Sequence, residues 1–226
     1  MKRLRVAEVM DQPALDRLAH EHALRSLNRA NRLFGVDRRM WNLVRKVGDE
    51  RYSVLDLACG GGGFLCYAAG RTGKDRSARL VGLDRSCDAI RFAHGRSTAD
   101  ICWIVGDALR LPIADHGVDV VTCSLFLHHF DEPEVIMILQ EACRVARRAI
   151  VVGELVRSRS AWLLTCLVTR LMSRSWIFHV DGPRSVRAAF RANELRNLAG
   201  QAGLLPVTVK RVFPFRYVMT WRRPGH

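Results

Sequence analysis

The stretch from Val54 to Phe64 reads VLDLACGGGGF, an apolar run that ends in four consecutive glycines, Gly60 to Gly63. A short apolar run before a glycine turn, followed by Phe64-Leu-Cys-Tyr-Ala-Ala69, has the order strand, turn, helix. The same alternation repeats downstream. Leu80 to Leu83 precedes Asp84, a helical segment runs about Ala89 to His94, Ile101 to Val105 precedes Gly106-Asp107, and Val118 to Cys123 and Ala149 to Val152 are further strands. Between the last two, Asp131-Glu132-Pro133 starts a helix with Val135, Leu139, Ala142 and Ala146 on one face. Continuous apolar strands separated by helices indicate a parallel sheet covered on both faces.

Outside this core the pattern changes. Leu15, Ala19, Ala23, Leu27, Ala30 and Phe34 recur at helical spacing over residues 11–34, with Asp11 and Pro13 as start signals. After Glu154 the alternation stops, and Trp162 to Val168 with Leu171 and Met172 forms an apolar helical segment flanked by arginines. Trp176 to Val180 then leads to an expected turn at Asp181-Gly182-Pro183 and a helix capped by Asn193. Val207 to Val212 and Phe215 to Trp221, on either side of Pro214, predict a closing antiparallel hairpin. The expected organisation is a helical cover over residues 1–51, a core over 52–154, a helical lid over 155–192, and a helix and hairpin over 193–226 that complete the sheet.

A chain of 226 residues and 25.6 kDa is long enough for a sizeable core and too long for a disulfide-stapled miniature. The formal charge of +14 divides as +5 over residues 1–51, −2 over 52–154 and +11 over 155–226. Scattered arginines in the flanks make a poor phosphate-tracking stripe. The seven cysteines include no C-x-x-C pair, and several sit in apolar runs as small core hydrophobes, so no metal site is expected. The N-terminus lacks the apolar region of a signal peptide, and the uncharged stretch Ser160 to Thr169 is far shorter than the roughly 20 residues that span a bilayer. A cytoplasmic protein is expected.

A glycine turn after the first strand lets bare backbone approach a nucleotide-like ligand at the carboxyl ends of the strands. A dinucleotide site requires G-x-G-x-x-G at a helix N-terminus, and here no third glycine follows at that spacing. Asp56 before the turn is unfavourable beside a pyrophosphate but suits a cationic amino-acid group. Asp84 at the next strand end can accept two ribose hydroxyls, and Gly106-Asp107-Ala108 at the third can meet an adenine edge. Each has a plainer reading. Asp56 or Asp84 can cap a local turn or helix, and Asp107 can be a turn residue.

With those strand ends in place, the sequence resembles the class I S-adenosylmethionine-dependent methyltransferases, in particular the small-molecule branch of quinone- and polyketide-pathway methylases. The resemblance runs from about Val54 to Val152, through VLDLACGGGGF, VGLDRS, GDALRLPIADHGVDVV and CSLFLHHF. It implies an α/β, Rossmann-like, mostly parallel seven-stranded sheet with helices on both faces, a terminal antiparallel hairpin and a helical lid. It implies S-adenosyl-L-methionine as cofactor and S-adenosyl-L-homocysteine as product. Asp56, Ala58, Cys59, Gly60 and Gly62 then border the methionine part, Asp84 and Arg85 the ribose, Asp107 and Ala108 the adenine, and Ser124 the floor. Ala58 stands where many relatives have glycine.

His128 is the candidate general base and His129 a weaker one, because a protonated phenol acceptor needs help losing its proton. The apolar lid points to a small aromatic or lipid-like acceptor: a phenol, resorcinol, pyrone or quinone precursor, methylated on oxygen or carbon. The basic C-terminal third keeps an RNA methyltransferase as the alternative, although no tetrad of the Asn-Pro-Pro-Tyr type is present. A non-catalytic cofactor-binding scaffold is the third reading. The expected partner is a small molecule rather than nucleic acid or membrane, and the expected state is a monomer or homodimer.

Overall fold

The computed structural model describes residues 1–12, 15–47, 51–72 and 77–225. Its elements are α1 (Arg17–Leu33), α2 (Val36–Val44), β1 (Arg51–Leu57), α3 (Gly63–Ala69), β2 (Ser77–Asp84), α4 (Cys87–Arg96), β3 (Ile101–Val105), β4 (Val118–Ser124), α5 (Glu132–Val145), β5 (Ala146–Leu155), α6 (Arg159–Met172), α7 (Trp176–Ala188), α8 (Ala192–Gln201), β6 (Val207–Val212) and β7 (Arg216–Arg222). Short 3₁₀ turns lie at Val9–Asp11 and Leu127–His129.

The seven strands form one sheet in the order β3-β2-β1-β4-β5-β7-β6. The first five are parallel, and β7 runs antiparallel between β5 and β6. The strand order reverses between β1 and β4, which opens a crevice beyond their carboxyl ends. Because side chains alternate along a strand, Leu55 and Leu57 pack on the face covered by α5 and α8, while Val54 packs on the face covered by α2 and α3. Covering both faces accounts for the unbroken apolar runs of β1 and β4. At the edge, β3 leaves Cys102 exposed. The buried cysteines are Cys59 and Cys123, and all seven are free.

Several expected boundaries shift. The first helix starts at Arg17, capped by the Asp16 side chain on the Ala19 N–H, and Asp11 belongs to a separate turn. Pro13 lies outside the described residues. The stretch before β1 contains α2, whose Met40, Trp41 and Val44 are buried. The expected turn at Asp181-Gly182-Pro183 is instead inside α7, which Ser175 caps. Pro183 is the eighth of its 13 residues, so it lies in the helix interior and lacks the N–H that would bond the carbonyl four residues before it. The N-cap of α8 is Arg191, two residues before Asn193. None of the helices among the described residues is long and apolar enough to cross a membrane.

Candidate active site

The glycine turn alternates its backbone hand: Ala58, Gly60 and Gly62 have φ of 51°, 50° and 68°. Glycine takes that conformation freely, whereas Ala58 pays roughly 1–2 kcal/mol for it. Leu125 and Phe215 are also left-handed, and like Ala58 they sit where the strands end on the carboxyl edge of the sheet. Among the described residues three of the four left-handed non-glycine positions lie at this edge, His116 before β4 being the other, and strain of this kind clusters where geometry is imposed for use. Two further glycines are needed for close approach. A Cβ on Gly61 or Gly63 would fall 2.7 or 2.6 Å from the amide of Asn28, which donates from Nδ2 to the Gly61 carbonyl at 3.1 Å. Helix α1 therefore rests directly on the turn.

Register places the acids around this turn. Asp56 pairs with Gly82 and Thr122 across its neighbouring strands, and its side chain receives the Thr122 hydroxyl at 2.7 Å. It caps nothing. Burial pushes its carboxyl up to about 7, against the Thr122 bond and with the negative charges of Asp37 and Asp84 adding to the rise. Asp84 accepts the N–H of Gly60 on one oxygen and that of Ser86 on the other, both at 2.9 Å, so it ties the turn to β2 while Ser86 caps α4. Burial raises its pKa as well. Arg85 is exposed and reaches Asp11 at 3.4 Å. Asp107 is exposed and accepts the Leu109 N–H at 2.9 Å, with buried Ala108 between them. Ser124 pairs with Gly153, and its Oγ is buried with no hydrogen-bond partner among the described residues.

The two histidines lie in a second group. His128 is buried, with Nδ1 donating to Glu154 Oε2 at 2.9 Å and Nε2 3.5 Å from Glu8 Oε1. Burial alone would lower its pKa, but the charge and bond of Glu154 and then Glu8 outweigh it and raise the imidazole to about 10. His129 stacks on it at 4.5 Å and donates from Nδ1 to Asp11 at 2.8 Å. Glu154 Oε1 also accepts the N–H groups of Phe126 and Leu127. Glu8, His128 and His129 offer ligand atoms within 4.8 Å of one another. While His128 carries both protons, it has no lone pair for a metal or for an incoming proton. Sequence reading passed over Glu154 although it is an acid at a strand end like Asp84, and Glu8 lies in a segment with no periodicity to read.

A cleft enclosing about 100 Å³ opens beyond β4, β5 and β7. Leu27 of α1 and Phe34 just after it, Leu164 and Val168 of α6, and Phe178 of α7 form its walls, with Leu125, Leu155 and Phe215 at the strand ends. The lid thus faces the sheet with apolar side chains. His128 and His129 are not among the lining residues.

A methyltransferase domain model matches residues 54–149. The demethylmenaquinone methyltransferase of Thermotoga maritima is 31% identical over 175 residues, 74% of this chain and 70% of that protein. The chain belongs to the S-adenosylmethionine-dependent methyltransferases. Shorter matches join this methyltransferase to a demethylmenaquinone methyltransferase of Shouchella clausii, 31% identical over 99 residues, and a putative 23S rRNA (guanine-N(1)-)-methyltransferase of Bacillus subtilis, 36% identical over 76. These cover 42% and 34% of the chain, and the chain spans only 40% and 27% of those two proteins. A methyltransferase structure from Aquifex aeolicus superposes with a TM-score of 0.63 at 17% identity, over 92% of this chain and 98% of that one.

The strand-end residues fit the family's cofactor. Asp56 is buried and Asp84 half-buried, and neither forms an ion pair among the described residues, although the charge of Arg85 acts on Asp84; the cofactor brings an ammonium and a sulfonium. Each oxygen of Asp84 has accepted one backbone N–H, and a carboxylate oxygen has a second lone pair for a ribose hydroxyl. The orphaned Ser124 Oγ supplies a further donor or acceptor on the floor.

Proposed function

We propose that this methyltransferase methylates a small apolar aromatic acceptor, of the phenol, resorcinol, pyrone or quinone-precursor class, on oxygen or carbon. The observation that carries the reading is the cleft, whose walls are mainly apolar and whose size is of the order that seats one aromatic ring. The similarity to demethylmenaquinone methyltransferases supports the same acceptor class. An apolar cleft of this kind has no phosphate-tracking surface, which weighs against the RNA reading.

S-adenosylmethionine, when bound, supplies an electrophilic methyl group. We assign its contacts to Asp56, Ala58, Cys59, Gly60 and Gly62 for the amino-acid part, Asp84 and Arg85 for the ribose, Asp107 and Ala108 for the adenine, and Ser124 beneath. The chain's own work is to hold the acceptor beside that group and to keep water out, which the walls of α1, α6 and α7 do. We assign His128 a positioning role in place of the general base expected from sequence. As an imidazolium between Glu8 and Glu154 it has nothing with which to take a proton, but with Glu154 it fixes the segment Leu125 to Leu127 at the mouth of the cleft. A cytoplasmic location is consistent with seven unpaired cysteines.

The test is formation of S-adenosylhomocysteine with a panel of alkylphenols and alkylresorcinols beside a short RNA. Turnover with the aromatic compounds and none with RNA is expected, and the reverse pattern overturns the reading. In the same preparation Asp84→Ala should weaken S-adenosylmethionine about tenfold or more by calorimetry, because charged hydrogen bonds contribute roughly 1.5–3 kcal/mol. Unchanged affinity in a folded variant would remove Asp84 from the site.

A further inference from the structure

The cleft holds one charge. Among the described residues that line it only Arg216 is ionised, and it stands at the start of β7, paired in register with Leu155. Its Nη2 donates to Asn31 Oδ1 at 3.3 Å, while Nη1 is buried and has no hydrogen-bond partner among the described residues. Burial lowers the guanidinium pKa to about 10, with Glu154 opposing the fall, Arg39 adding to it and Asp37 opposing it, so the group stays charged at neutral pH.

The acids nearby do not answer that charge. Glu154 spends its oxygens on His128 and on the N–H groups of Phe126 and Leu127. Asp37 is itself pushed up to about 6 by burial, against Arg32 and Arg216, and forms no ion pair with Arg216 among the described residues. A charged donor left unpaired in an apolar wall is costly, and it persists where something else completes it.

Resting on the reading of the cleft as the acceptor pocket, we propose that Arg216 Nη1 binds a single oxyanion of the acceptor, a phenolate or enolate oxygen. One free nitrogen suits one oxygen better than a carboxylate, which prefers the paired nitrogens of a guanidinium fork. The remainder of such a molecule is hydrocarbon, and Leu164, Val168, Phe178 and Phe215 receive it. A fixed cation beside the oxygen favours its ionised form. The acceptor then loses its proton to solvent on the way in, and the pocket selects the anion. This accounts for an active site in which no side chain lining the cleft is placed to act as a base.

The probe is 4-nitrophenol, whose anion absorbs in the visible and whose neutral form does not, added at a pH near its own pKa. Wild-type protein should increase the visible band, and should bind the anion about tenfold or more tightly than 4-nitroanisole, the uncharged ether. Arg216→Met should bind 4-nitroanisole as well as wild type does but decrease the band, since an apolar pocket without the cation prefers the neutral phenol. Arg216→Lys should retain part of the increase. Thermal melting verifies that the variants fold. An unchanged or decreased band with wild type, or the same increase with Arg216→Met, overturns the role of Arg216 and leaves the apolar pocket standing. Failure of wild type to bind either compound overturns the pocket and the inference with it.

Discussion

Asp56 carries an opposition between stability and binding. Its pKa rises from an unfolded value near 3.8 to about 7 on burial, so the folded state holds a proton that the unfolded state gives up. The stability linked to that proton is present at low pH and is lost as pH rises through about 7. A cationic cofactor reverses the preference, because it favours the ionised carboxylate. S-adenosylmethionine affinity should therefore fall about tenfold from about pH 8 to about pH 6, one proton being expelled on binding. Asp56→Asn should flatten that dependence, weaken binding at high pH, and raise the Tm of the free protein at about pH 8 by at least ~2 °C. Calorimetry and melting curves across pH check both halves, and a steep dependence that survives in Asp56→Asn would assign the proton elsewhere. Of this residue the sequence showed the position and the charge. It could not show Thr122 as partner, since that contact depends on the register of β1 with β4.

At the scale of elements, the segment after β4 is held by its neighbours more than by its own preferences. Leu125 is left-handed, the 3₁₀ turn Leu127–His129 is short, and Glu154 at the end of β5 fastens it through three hydrogen bonds. Removing His128 leaves Glu8 and Glu154 buried without their shared cation, and breaking a buried pair in this way costs about 3–5 kcal/mol. The imidazole pKa is raised from 6.5 to about 10, burial lowering it but Glu154 and Glu8 prevailing, so its stabilisation is whole below about 6.5 and lost as pH climbs toward 10. The Tm gap between wild type and His128→Asn should be widest at about pH 6.5 and narrow steadily as pH rises toward about 10. A gap independent of pH would mean that the ring acts by shape alone. Elsewhere, α5 was legible because Asp131-Glu132-Pro133 forms a start signal that needs no tertiary partner, and in the structure Glu134 completes the cap. In α7 the glycine and proline pointed to a turn, and packing against Val9, Ala23 and the residues around them overrode that signal.

For the whole molecule, legibility followed the sheet. The parallel strands and the residues at their carboxyl ends declare themselves locally, through apolar runs that stop at Asp56, Asp84, Asp107 and Ser124. The cover does not. Arg3 donates to the Ala188 and Phe130 carbonyls, and Asp181 accepts the N–H groups of Val9 and Met10, contacts across more than 120 residues of chain that no window could reveal. Arg216 was invisible for the same reason, one arginine among many in a basic flank until the fold brought α1, α6 and α7 around it. Helix α1 joins the two parts through Asn28, which takes the space that side chains at 61 and 63 would need. Such a contact leaves a trace in ancestry. Across an alignment of homologues, a side chain larger than hydrogen at position 61 or 63 should coincide with a smaller residue at 28 or a displaced first helix, and independent drift of these three columns would show that the helix does not bear on the turn.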